Sequence, residues 1–211
     1  MLKNNDFEVP RSMLRLCVIV LMALVLSGCG GLTKSDSAAI STWWLEPLPE
    51  SGSAVNNSPE RSDNAIVLVS VTVVPGLDTA NILNLSPNAE LNYYTGARWA
   101  DDLPELLNSL VGRTLEAQGG YQVVSRRNSR DLDRCILRLE VKAFYAELSQ
   151  SGKTEDVHIS FSGEYSCEGD PSRFFKVDSR TPVKVEKMGS IVSSFQAGLN
   201  AALEQLLAEI H

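Results

Sequence analysis

Two stretches of alternating residues restrict this chain more than anything else in it. Across residues 135–148 the odd positions are Cys135, Leu137, Leu139, Val141, Ala143 and Tyr145, and the even ones include Arg138, Glu140 and Lys142. Across residues 155–167 the odd positions are Val157, Ile159, Phe161, Gly163, Tyr165 and Cys167, against His158, Ser160, Ser162, Glu164 and Ser166 at the even ones. A period of two, apolar then polar, marks strands with one face on a core and one in water. Ser149-Gln150-Ser151-Gly152-Lys153 between them has turn chemistry. An antiparallel hairpin centred on Ser151 sets Cys135 opposite Cys167 and Arg138 opposite Glu164. Directly opposed residues have Cα atoms about 4.5 to 5.5 Å apart, within reach of a disulfide. A free buried thiol pair is the alternative.

The remaining elements supply what such a hairpin needs to cover its apolar face. Residues 65–74 are an almost unbroken Ile, Val and Leu run, the pattern of a strand buried on both faces. Short apolar stretches at 82–85 and 91–95 flank Ser86-Pro87-Asn88 and read as a second hairpin. Asp102 with Glu105 three residues on, and Pro104 in the first turn, predicts a capping box and a helix start. Leu103, Leu106, Leu107, Leu110, Val111 and Leu115 follow as one apolar stripe, stopped by Gly119-Gly120. Residues 121–125 read as a strand and 174–185 as another. Gly189 precedes a last helix with Ile191, Val192, Phe195, Leu199, Leu203, Leu206, Leu207 and Ile210 on one face. The expected class is α+β, a mostly antiparallel sheet with two amphipathic helices packed on one face.

The start of the chain has the parts of a secretory leader. Lys3, Arg11 and Arg15 precede an apolar run from Leu16 to Val25, which is shorter than the roughly 20 residues a spanning helix needs. Leu26-Ser27-Gly28-Cys29 then resembles the bacterial lipobox, in which the cysteine is acylated and the chain is cut before it. The expected organisation is a signal peptide over 1–28, a flexible tether over 29–41 after lipidated Cys29, and a single domain over 42–211. Trp43 and Trp44 are adjacent in an apolar knot, so a strand there sends them to opposite faces. Core packing for one and a partner surface for the other is the plainest reading, with a membrane-interface role as the alternative.

Charge and motifs narrow the function classes. The formal charge is −7, and the leader is itself net basic, so the remainder is more acidic still. That balance does not suit nucleic acid, which needs clustered Lys and Arg. It also opposes adhesion to anionic lipid, which leaves an acyl anchor to do the holding. Four arginines between 126 and 134 could grip a phosphate or a lipid headgroup, but Asp131 and Asp133 among them favour a solvated connection. No nucleophile elbow, phosphate-binding loop, zinc-protease helix or dinucleotide fingerprint occurs after the leader. His158 lies on a predicted polar face and His211 ends the chain. Asp101 and Asp102 are better explained as helix capping than as an acid/base pair. No catalytic residue, metal ligand set or cofactor is expected.

Val74-Pro75-Gly76-Leu77-Asp78, and Arg98-Trp99-Ala100-Asp101-Asp102-Leu103-Pro104 before a leucine-rich helix, resemble the ABC-type transport auxiliary lipoprotein family. Thr181-Pro182-Val183 and Phe195-Gln196-Ala197 stand where that family has a Pro-Val pair and a last helix with Phe and Ala. The family often has Tyr in place of Trp43 and Trp44, and usually has Tyr or a similar residue in place of Gly76. It includes the lipoprotein of the paraquat-inducible intermembrane lipid transport type. The resemblance implies a non-catalytic subunit, lipid-anchored at the outer membrane and facing the periplasm. Its implied partners are a mammalian-cell-entry-type protein and an inner-membrane transporter or permease, its implied cargo lipid or another apolar molecule. Gly30, where an Asp would favour the inner membrane, agrees with that placement. A free-standing lipid-binding shuttle or enzyme-like lipoprotein with its own pocket is the alternative, and a homo-oligomer is left open. Arg98, Trp99, Trp43 and Trp44 are the motif or partner-contact candidates. Trp99 is expected to be buried beside the helix that begins at Leu103, and Arg98 to pair with an acid or a carbonyl.

Overall fold

The computed structural model describes residues 39–49, 66–119, 121–124 and 134–210. The proposed leader, Cys29, most of the tether, residues 50–65 and all but the last of the arginines at 126–134 lie outside them. Eight strands and two helices are described: β1 (Ser41–Trp43), β2 (Ile66–Val73), β3 (Asn81–Leu85), β4 (Leu91–Trp99), α1 (Leu103–Thr114), β5 (Gln122–Val123), β6 (Arg134–Leu148), β7 (Thr154–Cys167), β8 (Arg173–Pro182) and α2 (Met188–Ile210). One π-helical turn, Leu115–Gly119, extends α1. No helix among the described residues is long and apolar enough to cross a membrane.

β6 is the spine of the sheet. Along one edge it pairs antiparallel with β7, and β7 pairs antiparallel with β8. The hairpin register is the one the alternation demands, with Cys135 opposite Cys167 and Arg138 opposite Glu164. Cys135 and Cys167 are joined by a disulfide. The other edge of β6 is shared. Its first half takes β2 in parallel, from Ile66 beside Arg134 to Val73 beside Val141, and its far end takes β3 in parallel at Ala146 and Glu147. β3 and β4 form the expected second hairpin, and β1 adds to β4 in parallel. The class is α+β, with a mixed sheet in which the long pairings of β6, β7 and β8 are antiparallel.

The register of β6 against β7 shifts between Val141 and Ala143. This bulge corrects one expectation. Odd residues face the core only as far as Val141; beyond it Phe144 and Ala146 are buried in the core and Tyr145 turns to the outer face. A bulge inserts one unpaired residue and so exchanges the two faces downstream. It falls where β6 passes from β2 to β3. β2 also departs from expectation: Val67 and Val69 are buried while Thr72 is exposed, so the strand is not covered on both sides. Among the described residues the predicted 121–125 strand is formed at Gln122–Val123, and the predicted 174–185 strand ends at Pro182.

Both helices cover the inner face. α1 buries Leu103, Leu106, Leu107, Leu110 and Val111, and α2 buries Ile191, Val192, Phe195, Leu199, Leu203, Leu206 and Ile210. The capping box at α1 is not made. Asp102 occupies the cap position without a side-chain hydrogen bond, and its own N–H donates to Asp101 Oδ1 at 2.9 Å. Gly163 leaves a hole on the inner face of β7 that the ring of Phe175 fills; a Cβ there would lie 2.1 Å from the ring's Cζ. α2 is tied down by two glutamines that act as substitute backbone. Gln196 accepts from Glu46 N–H at 2.8 Å and donates to Glu46 C=O at 3.0 Å. Gln205 does the same to Asp178 on the free edge of β8, at 3.4 and 3.1 Å. Paired edge groups cannot template another strand.

Candidate functional site

The two segments that carry the resemblance fold onto each other. Pro75-Gly76 turns the chain out of β2, and Gly76 takes φ +94°, which suits glycine. Leu77 is then buried, and the backbone beyond it meets the second segment. Trp99 N–H donates to Ala80 C=O at 2.7 Å and Leu103 N–H to Thr79 C=O at 3.3 Å. The first helical N–H groups have no partner inside their own helix, so the second of these bonds serves as a backbone cap for α1. The Asp side chains expected to cap are thereby spared that role.

Trp99 is 1% exposed and sits at the centre of the core. Its ring meets Phe144 of β6 edge-on at 5.9 Å and Phe195 of α2 at 5.1 Å, and those two phenyl rings are 5.2 Å apart. Edge-to-face pairs at these distances gain beyond simple burial. Trp99 is therefore a packing residue that joins three elements, and its burial removes it from the partner-contact candidates. Arg98 is the opposite. It is exposed, and none of the ion pairs among the described residues includes it. No acid or carbonyl among the described residues takes the bond expected of it. Alternation on β4 explains the contrast, since a residue beside an inward tryptophan must face out.

Trp43 and Trp44 part as expected. Trp43 is half-buried against the core, and its ring lies over Gly189 at the start of α2. Its Nε1 is buried without a hydrogen-bond partner. Trp44 is 60% exposed.

The outer face of the sheet holds a polar cluster that sequence reasoning did not assemble. His158 Nε2 lies 2.9 Å from Asp178 Oδ2, and His158 Nδ1 lies 3.4 Å from Glu147 Oε1 and 3.3 Å from Arg180 Nη2. Arg180 also pairs with Glu147, and the Tyr145 ring stands edge-on to the imidazole at 5.7 Å. The hydrogen bond from His158, ahead of burial acting the other way, holds the Asp178 carboxyl below the usual range. Burial, and then the charge of Glu147, raises the Tyr145 phenol. The members come from β6, β7 and β8. Carrying the hairpin arithmetic one strand further would have found His158 opposite Arg180. The cluster's side chains satisfy one another on a solvated face, and the arrangement reads as a cross-strand clamp.

An open cleft of about 710 Å³ lies at the far end of the sheet, between the β3–β4 turn and the β6–β7 turn. Leu85, Pro87, Leu148, Glu147 and Glu155 are among its lining residues. Among the described residues no three His, Cys, Asp or Glu side chains are grouped to hold a metal ion.

Comparison with known proteins places this geometry. Two solved structures share the fold: protein XCC0632 from Xanthomonas campestris, at 18% identity, covering 80% of this chain and 92% of that one with a TM-score of 0.60, and an uncharacterised protein at 17% identity, covering 81% and 100% with a TM-score of 0.59. The PelC dodecamer from Paraburkholderia phytofirmans is a looser neighbour, at 12% identity, covering 70% of this chain and 89% of that one with a TM-score of 0.39. The comparison with curated proteins returns no match. The profile of the ABC-type transport auxiliary lipoprotein component family matches residues 47–211, from the segment after the tryptophan pair to the end of the chain. The chain belongs to the ABC-type transport auxiliary lipoprotein component family.

Proposed function

We propose that this protein is a non-catalytic, lipid-anchored subunit of an intermembrane transport system of the mammalian-cell-entry type. It sits at the outer membrane through acyl chains on Cys29 and faces the periplasm. There it links a periplasmic mammalian-cell-entry-type protein, and through it an inner-membrane transporter or permease, to the membrane that receives or supplies lipid. The family match over residues 47–211 carries the reading. The lipobox-like Leu26-Ser27-Gly28-Cys29 ahead of that match supplies the anchor, and more than one acyl chain makes such an anchor stable.

The test is metabolic labelling of the full-length protein with a fatty-acid analogue, followed by membrane fractionation. Label on the wild type in the outer-membrane fraction, lost in Cys29→Ala, is the expected result. Label retained by the variant overturns the anchor. The competing reading, a free-standing lipid shuttle, rests on the open cleft at the hairpin ends. Its signature is a stoichiometric lipid, distinct from the anchor, that copurifies with the protein. The subunit reading instead expects crosslinks to a mammalian-cell-entry-type protein and no such lipid.

A further inference from the structure

The first strand of the fold lies ahead of the family match and is flanked by exposed apolar side chains. Trp43 turns inward, which sends Thr42 and Trp44 outward; Ile40 is 64% and Trp44 60% exposed. β1 pairs with β4 so that Thr42 lies beside Arg98. Arg98 is itself exposed and in no ion pair among the described residues. Thr42 and Arg98 thus share one side of the β1–β4 pair, and exposed Ile40 and Trp44 flank β1 at its two ends. No charged residue occurs from Ser37 to Leu45.

We infer that this surface, Ile40, Trp44 and Arg98, rests on the phospholipid bilayer that holds the protein's own anchor. The inference depends on acylation of Cys29 and deepens that reading. Ile40 is eleven residues from Cys29, a length that spans no more than about 40 Å even when fully extended. The strand nearest the anchor in sequence is thus confined to the membrane's vicinity. What it exposes matches the interfacial zone, where tryptophan sits at headgroup level and a basic side chain meets phosphate. The overall acidity opposes adhesion by charge alone, so the contact is a shallow insertion of Trp44 and Ile40 with Arg98 on a headgroup. It fixes the orientation of an already anchored domain.

The experiment uses full-length protein exported and processed in a bacterium, purified in detergent and weighed by mass spectrometry for its acyl chains. It is then reconstituted into vesicles of phosphatidylethanolamine and phosphatidylglycerol, with or without a phosphatidylcholine brominated near the headgroup end. The chain has three tryptophans, so quenching of Trp44 alone removes about a third of the emission. The expected result is that loss in the wild type and its absence in Trp44→Phe, a substitution at an exposed site that leaves Tm unchanged. Acylated protein with equal quenching in both forms overturns the inference and leaves Trp44 for a protein partner. Protein without acyl mass overturns the anchor reading and this inference with it.

Discussion

Phe144 and Tyr145 are adjacent in β6 and lie on opposite faces of the sheet. Phe144 is 1% exposed and completes an aromatic triad with Trp99 and Phe195. Tyr145 stands over His158, among Glu147, Asp178 and Arg180. The same strands thus carry two clusters held by different forces. Each fully buried large apolar side chain contributes about 1.5 to 3 kcal/mol relative to exposure. A solvated ion pair contributes about 0 to 1 kcal/mol, and salt weakens it further. The inner cluster should therefore carry the stability of the fold, and the outer one only its dependence on pH and salt.

Trp99→Ala is the largest test of that division. It empties the centre of the triad and should cost about 3 to 5 kcal/mol, because the two surrounding rings belong to different elements and cannot both close the gap. Chemical denaturation measures it. A loss under about 1 kcal/mol would mean that the inner face can repack and is not the stronger of the two.

The disulfide tests the same strands from their open end. It joins residues 32 apart in sequence, at the end of the β6–β7 hairpin away from the Gly152 turn. In the chain-entropy model a loop of that length contributes about 3 to 4 kcal/mol by restricting the unfolded chain. Cys135→Ser with Cys167→Ser should lower the denaturation midpoint accordingly and make the protein indifferent to reductant. An unchanged midpoint would place the stability of the hairpin entirely in its packed face.

Legibility in the sequence followed the same boundary between one-sided and two-sided patterns. The hairpin register was readable because polar and apolar residues alternate strictly from Leu137 to Val141 and from Val157 to Cys167. Ala143-Phe144-Tyr145-Ala146 is apolar on both parities, so the bulge that reverses the faces there leaves no mark in the pattern. The parallel pairing of β2 with β6 joins strands some seventy residues apart in sequence, and nothing local specifies it. The helices were readable from their leucine stripes. The cap of α1 was misread because a carbonyl from residue 79 takes the place expected of a side chain. Trp99 was legible as a core residue, but the bond expected of Arg98 was not made: no acid among the described residues forms an ion pair with it. The outer cluster escaped because its members are scattered over three strands and look, one at a time, like an ordinary polar face.

Asp178→Asn is the smallest test and addresses the outer face alone. The hydrogen bond from His158 lowers the Asp178 carboxyl below its ordinary value of 3.8. A carboxyl with a depressed pKa in the folded state stabilises the fold once it is ionised. Its contribution is fully present above the unfolded value, about pH 4, and is lost as pH falls through the lower folded one. Arg180 adds a smaller effect of the same sign, as does the hydrogen bond with Ser160, while burial opposes them. The side chain is 61% exposed, so water screens the interaction and the effect stays below about 1 kcal/mol. Other carboxylates titrate in the same window, and the useful quantity is the difference between wild type and variant. That difference should shrink as pH falls below about 4 and weaken with added salt. A difference that persists undiminished at lower pH would mean that Asp178 acts through packing or neutral hydrogen bonds, and the outer cluster would then resemble the inner one.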